Sequence, residues 1–208
     1  MTLSLYSVFH LNLAYSAIEE SQHQEVIDRC YWPLLGAIES ENWPCGIEFS
    51  GLTLERIEEI EPTWVEKVVD LAQEGLVEII GSGYSQIIGP LVPEIVNQKN
   101  LEFGWEVYQG LLGISPSIVL IPEQAYSAGY ADVLREFGIE SFVMEWNNPR
   151  SAHPEWGASM LYRPQNVRTA SGESPHVLWN HSVTFQKFQR YAHGELDQQD
   201  ILLWLSRH

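Results

Sequence analysis

Residues 117–145, SIVLIPEQAYSAGYADVLREFGIESFVME, constrain the chain more than any other stretch. They read as strand, loop, helix and strand. SIVLI is a short apolar run suited to a strand buried on both faces, and Pro122 ends it. Ser127 takes the N-cap of a helix that turns Tyr130, Val133, Leu134 and Phe137 inward, and Gly138 stops it. SFVM is the next strand. A strand–helix–strand unit implies parallel pairing, and residues just past the carboxyl end of a parallel strand face the active site. Glu123 therefore stands where a catalytic carboxylate belongs. The alternative on position alone is a solvated loop acid or a helix-capping acid.

The same rhythm runs along the rest of the chain. LSLYSVFH is a first strand ending in His10-Leu11-Asn12. A helical spacing follows at Val26, Ile27, Cys30, Tyr31, Leu34, Leu35 and Ile38, with Pro33 expected to kink or divide it. CGIEFSG is a second strand, and Thr53 is expected to cap a short helix over TLERIEEI. In PTWVEKVVDLAQEG, Thr63 and Glu66 have capping-box spacing and Gly75 is the stop. LVEIIGSGYSQ is a third strand running into a glycine-containing turn, and a long amphipathic helix ends at Gly113. After the 117–145 unit, residues 146–166 read as a loop with MLYR as an extra strand. HVLWNHSV is a further strand and LDQQDILLWLSR a final helix. Alternating strands and helices predict an α/β fold of parallel βαβ units in one domain, 1–208.

Composition narrows the partners. A net charge of −17 argues against nucleic acid and anionic membrane surfaces and is indifferent to an uncharged polysaccharide. Cys30 and Cys45 form no disulfide framework and no metal spacing, and read as reduced core residues. No segment has the apolar length to span a bilayer, and MTLSLYSVFH lacks the features of a secretory signal, so the expected location is cytoplasmic. Of the eight Trp, Trp43, Trp146, Trp156 and Trp179 keep polar company and are the candidates to stack on sugar rings in a cleft.

Polar residues recur at the predicted strand ends: His10 and Asn12, Glu48 and Ser50, Ser82 to Gln86, Glu123 and Gln124, Glu145 to Asn147, Asn180 and His181. Carboxylates, imidazoles and amides on one rim suit acid/base or nucleophilic work on a hydroxyl-rich substrate. Asn12, Tyr84, Gln124 and Trp146 are expected to contact that substrate. A metal reading joins His10, His176 and His181 with a Glu, although HEXXH, paired CXXC and a first-strand HXD are absent. His23, His153 and His193 read as surface residues, and ERIEEIEP as a solvated helix face.

FHLNLAYS at 9–16, GLVEIIGSGYSQIIGPLVP at 75–93 and IPEQAYS at 121–127 resemble, in order and spacing, successive motifs of glycoside hydrolase family 57. The resemblance implies a retaining enzyme acting on α-glucans, such as an amylase, 4-α-glucanotransferase or branching enzyme. It implies an incomplete, seven-stranded (β/α) barrel with helices outside, of which 1–208 is the N-terminal portion, truncated before closure. It makes Glu123 the nucleophile and His10 a ligand of sugar hydroxyls. Glu78 takes the acid position of the second motif, and Trp179 to Ser182, with His181, resemble a substrate-contacting segment. No cofactor is implied. The first motif departs from the usual His-Gln-Pro, and the fourth, with the general-acid Asp, has no counterpart before His208. The expected partners are an α-glucan or oligosaccharide and a remainder of the catalytic domain beyond residue 208.

The leading expectation is thus a glycosyl-enzyme mechanism on Glu123, giving hydrolysis or transfer. Within it, Glu145 is the rival acid if the short chain acts alone. Outside it stand a metal-dependent polysaccharide deacetylase-like enzyme and a non-catalytic saccharide-binding module lacking the acid.

Overall fold

A computed structural model of the chain describes residues 6–206. The expected first strand begins at residues 3–5, outside the described residues; within them β1 runs Val8–Leu11. α1 (His23–Val26) passes through a π turn, Ile27–Tyr31, into α2 (Trp32–Glu41). The interruption expected at Pro33 takes this form. A proline ring would clash with the carbonyl four residues back in a regular helix, and the wider turn just before it relieves that clash.

β2 (Cys45–Phe49) is buried along its whole length. α3 (Gly51–Ile60) is capped by Ser50, whose hydroxyl accepts from the Thr53 amide; Thr53 itself lies inside the helix, not at the expected cap. α4 (Pro62–Gln73) starts at Pro62, so Thr63 is also inside, bonded to the Glu61 carboxylate and not in a box with Glu66. A proline at the first helical position lacks only an amide that the helix leaves unpaired anyway. β3 (Val77–Ile80) leads through the 81–86 turn to α5 (Glu94–Leu112), which Gly113 ends at φ 67°.

β4 (Ile118–Leu120), α6 (Ala128–Glu136) and β5 (Ser141–Glu145) form the expected strand–helix–strand unit, and Ser127 caps α6 by accepting from the Tyr130 amide. Residues 146–166 differ from expectation. They hold α7 (Asn147–Ala152), a 3-10 turn over Ala158–Tyr162 in place of the strand expected at MLYR, and a two-residue strand β6 (Gln165–Asn166). β7 (His176–Asn180) ends where His181 caps α8 (Ser182–Ala192), a helix absent from the sequence expectation; α9 (Gln198–Leu205) is the expected last helix. Among the described residues no helix is long and apolar enough to cross a membrane.

The strands lie in the order β1-β2-β3 and β4-β5-β7-β6, the two sets joined by a parallel bridge between Gly81 and Val119. Every pairing is parallel except β6 with β7, which is antiparallel. The sheet does not close into a barrel among the described residues. The fold is therefore an α/β fold of parallel-strand sheets with helices, as expected, without a closed barrel among the described residues.

One face of the sheet carries the core. Leu11, Ile47, Phe49, Val77 and Ile79 pack with Leu35, Leu54, Trp64, Val68 and Tyr108 of the helices. Val119, Phe142, Met144 and Val177 pack with Leu101 and with Tyr130, Val133 and Leu134 of α6. Successive side chains of a strand alternate between faces, so the residues between these, among them His10 and Glu48, face the other way. Cys45 is buried, but Cys30 is exposed on the π turn, and His23 is buried rather than on the surface.

The ends of β2 and β3 are tied to α5. The fully buried Tyr108 hydroxyl donates to the Phe49 carbonyl at 2.7 Å and accepts from the Ser82 amide at 3.3 Å. Asn100 accepts from the Ser85 amide at 2.7 Å and donates to the Ser85 carbonyl at 3.0 Å, which shapes the 81–86 turn.

Candidate active site

The register of β1 on β2 places His10 opposite Glu48. The Nδ1 edge of the ring meets the Glu48 carboxylate. Glu48 is fully buried, and its second carboxylate oxygen has no hydrogen-bond partner among the described residues. The His10 side chain is 43% exposed and opens outward from that buried anchor. The Glu48 hydrogen bond raises the His10 pKa; burial opposes it, and the charges of Glu48 and Glu123 add to it. Glu123, 113 positions along the chain, is thus within electrostatic reach of the imidazole.

A chain of amides continues from the ring. Gln86 Nε2 lies 3.2 Å from His10 Nε2, and Asn12 Nδ2 lies 3.4 Å from Gln86 Oε1. Asn12 Oδ1 accepts from the Tyr15 amide at 2.8 Å. The turns after β1 and β3 are joined through these side chains.

Glu123 follows β4 on a single turn, Pro122–Gln124, and is exposed. Its backbone is left-handed at φ 52°, ψ 16°, and Gln124 is left-handed as well at φ 55°. Each such residue costs about 1–2 kcal/mol when it carries a side chain, and conformations of this kind persist where the surroundings enforce them. Here the Gln124 carbonyl oxygen Oε1 accepts from the Glu145 amide at 2.6 Å, and the Ile121 amide donates to the Val143 carbonyl at 3.2 Å. Gln124 therefore clamps the turn that presents Glu123.

Glu145 has an equally local duty. Its carboxylate accepts from the Asn147 amide and, at 2.7 Å, from the Asn148 amide at the start of α7. Both oxygens are occupied by unpaired helix-start donors, the position where a carboxylate is favoured. This occupation removes the geometric basis for Glu145 as the rival acid.

The remaining expected residues are dispersed. Trp146 is 4% exposed and packs on Trp179 and Trp156, with ring centroids 5.4 and 6.0 Å away, so it is core and not a stacking platform. Trp179 is half-buried in the same cluster. The His181 ring caps α8 through the Thr184 amide at 3.2 Å and lies 5.9 Å from the Trp204 ring. Tyr84 donates to Glu55 at 2.9 Å in a side groove that Leu13, Leu52 and Arg56 also line. Glu78 pairs in register with Gly46, two residues below the level of His10 and Glu48. There burial, and after it the Glu78 charge, push the Tyr6 hydroxyl up to about 12.

The metal constellation does not assemble. His176 begins β7 and His181 follows its end, which separates them by roughly 16 Å of extended chain. Among the described residues no group of three His, Cys, Asp or Glu side chains is placed to hold a metal ion.

What converges is therefore His10, Asn12 and Glu123 from the expected set, joined by Glu48 and Gln86. Both additions stand among the strand-end polar residues, yet neither is singled out by sequence reading as a site residue. Their signal is parity: Glu48 is one residue from the end of β2 and falls on the face opposite the core side chains Ile47 and Phe49.

The model for Glycosyl hydrolase family 57 matches residues 5–181. An α-amylase of Pyrococcus furiosus is 24% identical over 125 residues, 59% of this chain and 19% of that protein. A 4-α-glucanotransferase of Thermococcus litoralis is 27% identical over 123 residues, 59% of this chain and 18% of that one. The chain thus spans about a fifth of the length of these curated relatives. The crystal structure of the Thermococcus litoralis 4-α-glucanotransferase superposes with a TM-score of 0.76 at 21% identity, covering 97% of this chain and 31% of that one. With the family model matching most of its length and a parallel α/β fold shared with the solved relative, the chain belongs to glycosyl hydrolase family 57.

Proposed function

We propose that the chain is the N-terminal portion of the catalytic domain of a retaining enzyme acting on α-glucans, by hydrolysis or by transfer to another sugar. The observation that carries this reading is Glu123: an exposed carboxylate on a strained turn at a strand end, within electrostatic reach of the His10–Glu48 pair. Backbone strain of this kind gathers at functional sites. The relatives' names, α-amylase and 4-α-glucanotransferase, supply the substrate class.

In the proposed reaction a Glu123 oxygen attacks the anomeric carbon and the glycosidic bond breaks, giving a glycosyl-enzyme. The departing oxygen takes a proton from a second carboxyl, an Asp beyond residue 208. That carboxylate then removes a proton from water or from an acceptor sugar hydroxyl, which attacks the same carbon and frees Glu123. His10 and Asn12 bind hydroxyls of the sugar in the donor subsite. A glucan is uncharged, so the chain's net charge of −17 does not oppose its approach.

The test is Glu123→Gln in the whole protein as its gene encodes it, assayed on maltooligosaccharides. Turnover should fall by about a thousandfold or more, as losses of a covalent nucleophile do, with the melting temperature nearly unchanged. Undiminished turnover overturns the assignment. Tight maltooligosaccharide binding without product from the unmodified whole protein would favour a saccharide-binding module instead.

A further inference from the structure

We propose that Glu48 is the positioning residue of this site: its buried carboxylate holds the Nδ1–H edge of His10, so that Nε2 accepts from Gln86 in the free protein and meets a saccharide hydroxyl in its place when substrate binds. The inference rests on the saccharide reading above and deepens it. It assigns a duty to a buried carboxylate that the proposed reaction does not otherwise use.

Two independent observations converge on it. The first is placement. Glu48 is fully buried, and its one hydrogen bond among the described residues is to His10, 38 positions away on the neighbouring strand. A buried carboxylate is costly unless paired, so a fold that keeps one has little tolerance for losing its partner.

The second is the polarity of the hydrogen-bond chain. A backbone amide can only donate, so Tyr15 makes Asn12 Oδ1 the acceptor and turns Asn12 Nδ2 toward Gln86. Gln86 then accepts on Oε1 and offers Nε2 to His10. His10 Nε2 must accept, which leaves the single proton of the neutral ring on Nδ1, where the Glu48 carboxylate takes it. The chain thus specifies one tautomer through four side chains on two strands and two turns. An orienting carboxylate on the far nitrogen is the general means of fixing an imidazole in place.

The same geometry makes Gln86 responsive to charge. The carboxylates of Glu48, on β2, and Glu123, after β4, are the charged groups that act on His10 among the described residues. When the ring takes a second proton, Nε2 becomes a donor and opposes the Gln86 NH2 group. The Gln86 amide must turn over, its NH2 then opposes Asn12 Nδ2, and the link between the two turns is lost. A sugar hydroxyl can donate or accept, so it replaces Gln86 in either state.

The experiment is two-bond 1H–15N imidazole spectroscopy of the 15N-labelled whole protein, as its gene encodes it, across pH, with His10 identified among the histidines by the signal missing in His10→Asn. The neutral ring should carry its proton on Nδ1. In Glu48→Gln, whose carbonyl can still accept, this tautomer should persist while the midpoint falls below that of the unmodified chain. In Glu48→Leu the tautomer preference should be lost as well. Added maltotriose should move the Nε2 resonance and leave Nδ1 in place. An unmodified chain with its neutral His10 proton on Nε2, an unchanged midpoint in Glu48→Gln, or no Nε2 response to maltotriose overturns the proposal. The spectra of the unmodified chain suffice should the variants fail to fold. They read the ring and not turnover, so a wrong Glu123 nucleophile leaves them unchanged, and a wrong Glu48 leaves the Glu123→Gln result unchanged.

Discussion

Replacing Gly104 by alanine should destabilise the protein although alanine is the better helix former. Gly104 lies inside α5 where that helix crosses the turn after β3. A Cβ there would stand 2.6 Å from the Gly83 carbonyl carbon, 2.7 Å from the Tyr84 amide nitrogen and 2.9 Å from the Gly83 Cα. All three are backbone atoms, and ordinary contact begins at 3.4 Å, so helix and turn must separate by nearly 1 Å. Alanine gains about 0.8–1.0 kcal/mol over glycine in a helix interior. Overpacking costs about 1–3 kcal/mol and reaches the upper part of that range where no side chain can swing aside. The net expectation is a loss of about 1–2 kcal/mol, or roughly 2–8 °C in melting temperature for a chain of this size. At Gly110, on the same helix, an added Cβ would meet nothing within 4 Å, and Gly110→Ala should gain up to about 1 kcal/mol. Thermal denaturation followed by circular dichroism compares the two directly. A Gly104→Ala variant as stable as Gly110→Ala refutes the close-approach argument.

Tyr108→Phe should cost about 1–3 kcal/mol, because the buried Phe49 carbonyl and Ser82 amide both lose the hydroxyl; urea unfolding at wild-type midpoint speaks against it. Glu145→Ala should cost about 1 kcal/mol through loss of the α7 cap. Faster hydrogen exchange at the Asn147 and Asn148 amides is the signature, and unchanged exchange there refutes the capping role. His10 titrates above its unfolded value, so its contribution to stability is complete below about pH 6.5 and is lost as pH rises through the higher folded value. The melting temperatures of the unmodified chain and His10→Asn should therefore converge as pH rises, and a gap that stays constant or widens contradicts the ion pair.

Much of the fold is legible in the sequence because its signals are local. Ser127 caps α6, Gly113 ends α5 and Pro122 ends β4, each through chemistry confined to a few neighbouring residues. Where two local signals compete, the expected boundary slips by a turn. Thr53 and Thr63 look like caps, but Ser50 and Pro62 start those helices earlier. α8 escapes the sequence reading although its residues segregate as in an amphipathic helix, and in the structure its Val183, Phe185, Phe188 and Tyr191 are exposed.

The sequence by itself determined the order of the elements up to β5 and the strand-end address of Glu123, since periodicity, caps and proline act within one helix turn or one strand. Tertiary structure alone decided which of the rim residues meet. Strand register set His10 against Glu48, and the Asn100 grip on the 81–86 turn accompanies Gln86 to the ring. The structure also shows Glu145, the rival acid, capping a helix, Trp146 buried as a core ring, and Gln124 holding the Glu123 turn. The Gln124 and Trp146 roles depend on partners up to tens of residues away and arise only once the parallel strands have aligned, which no local pattern encodes.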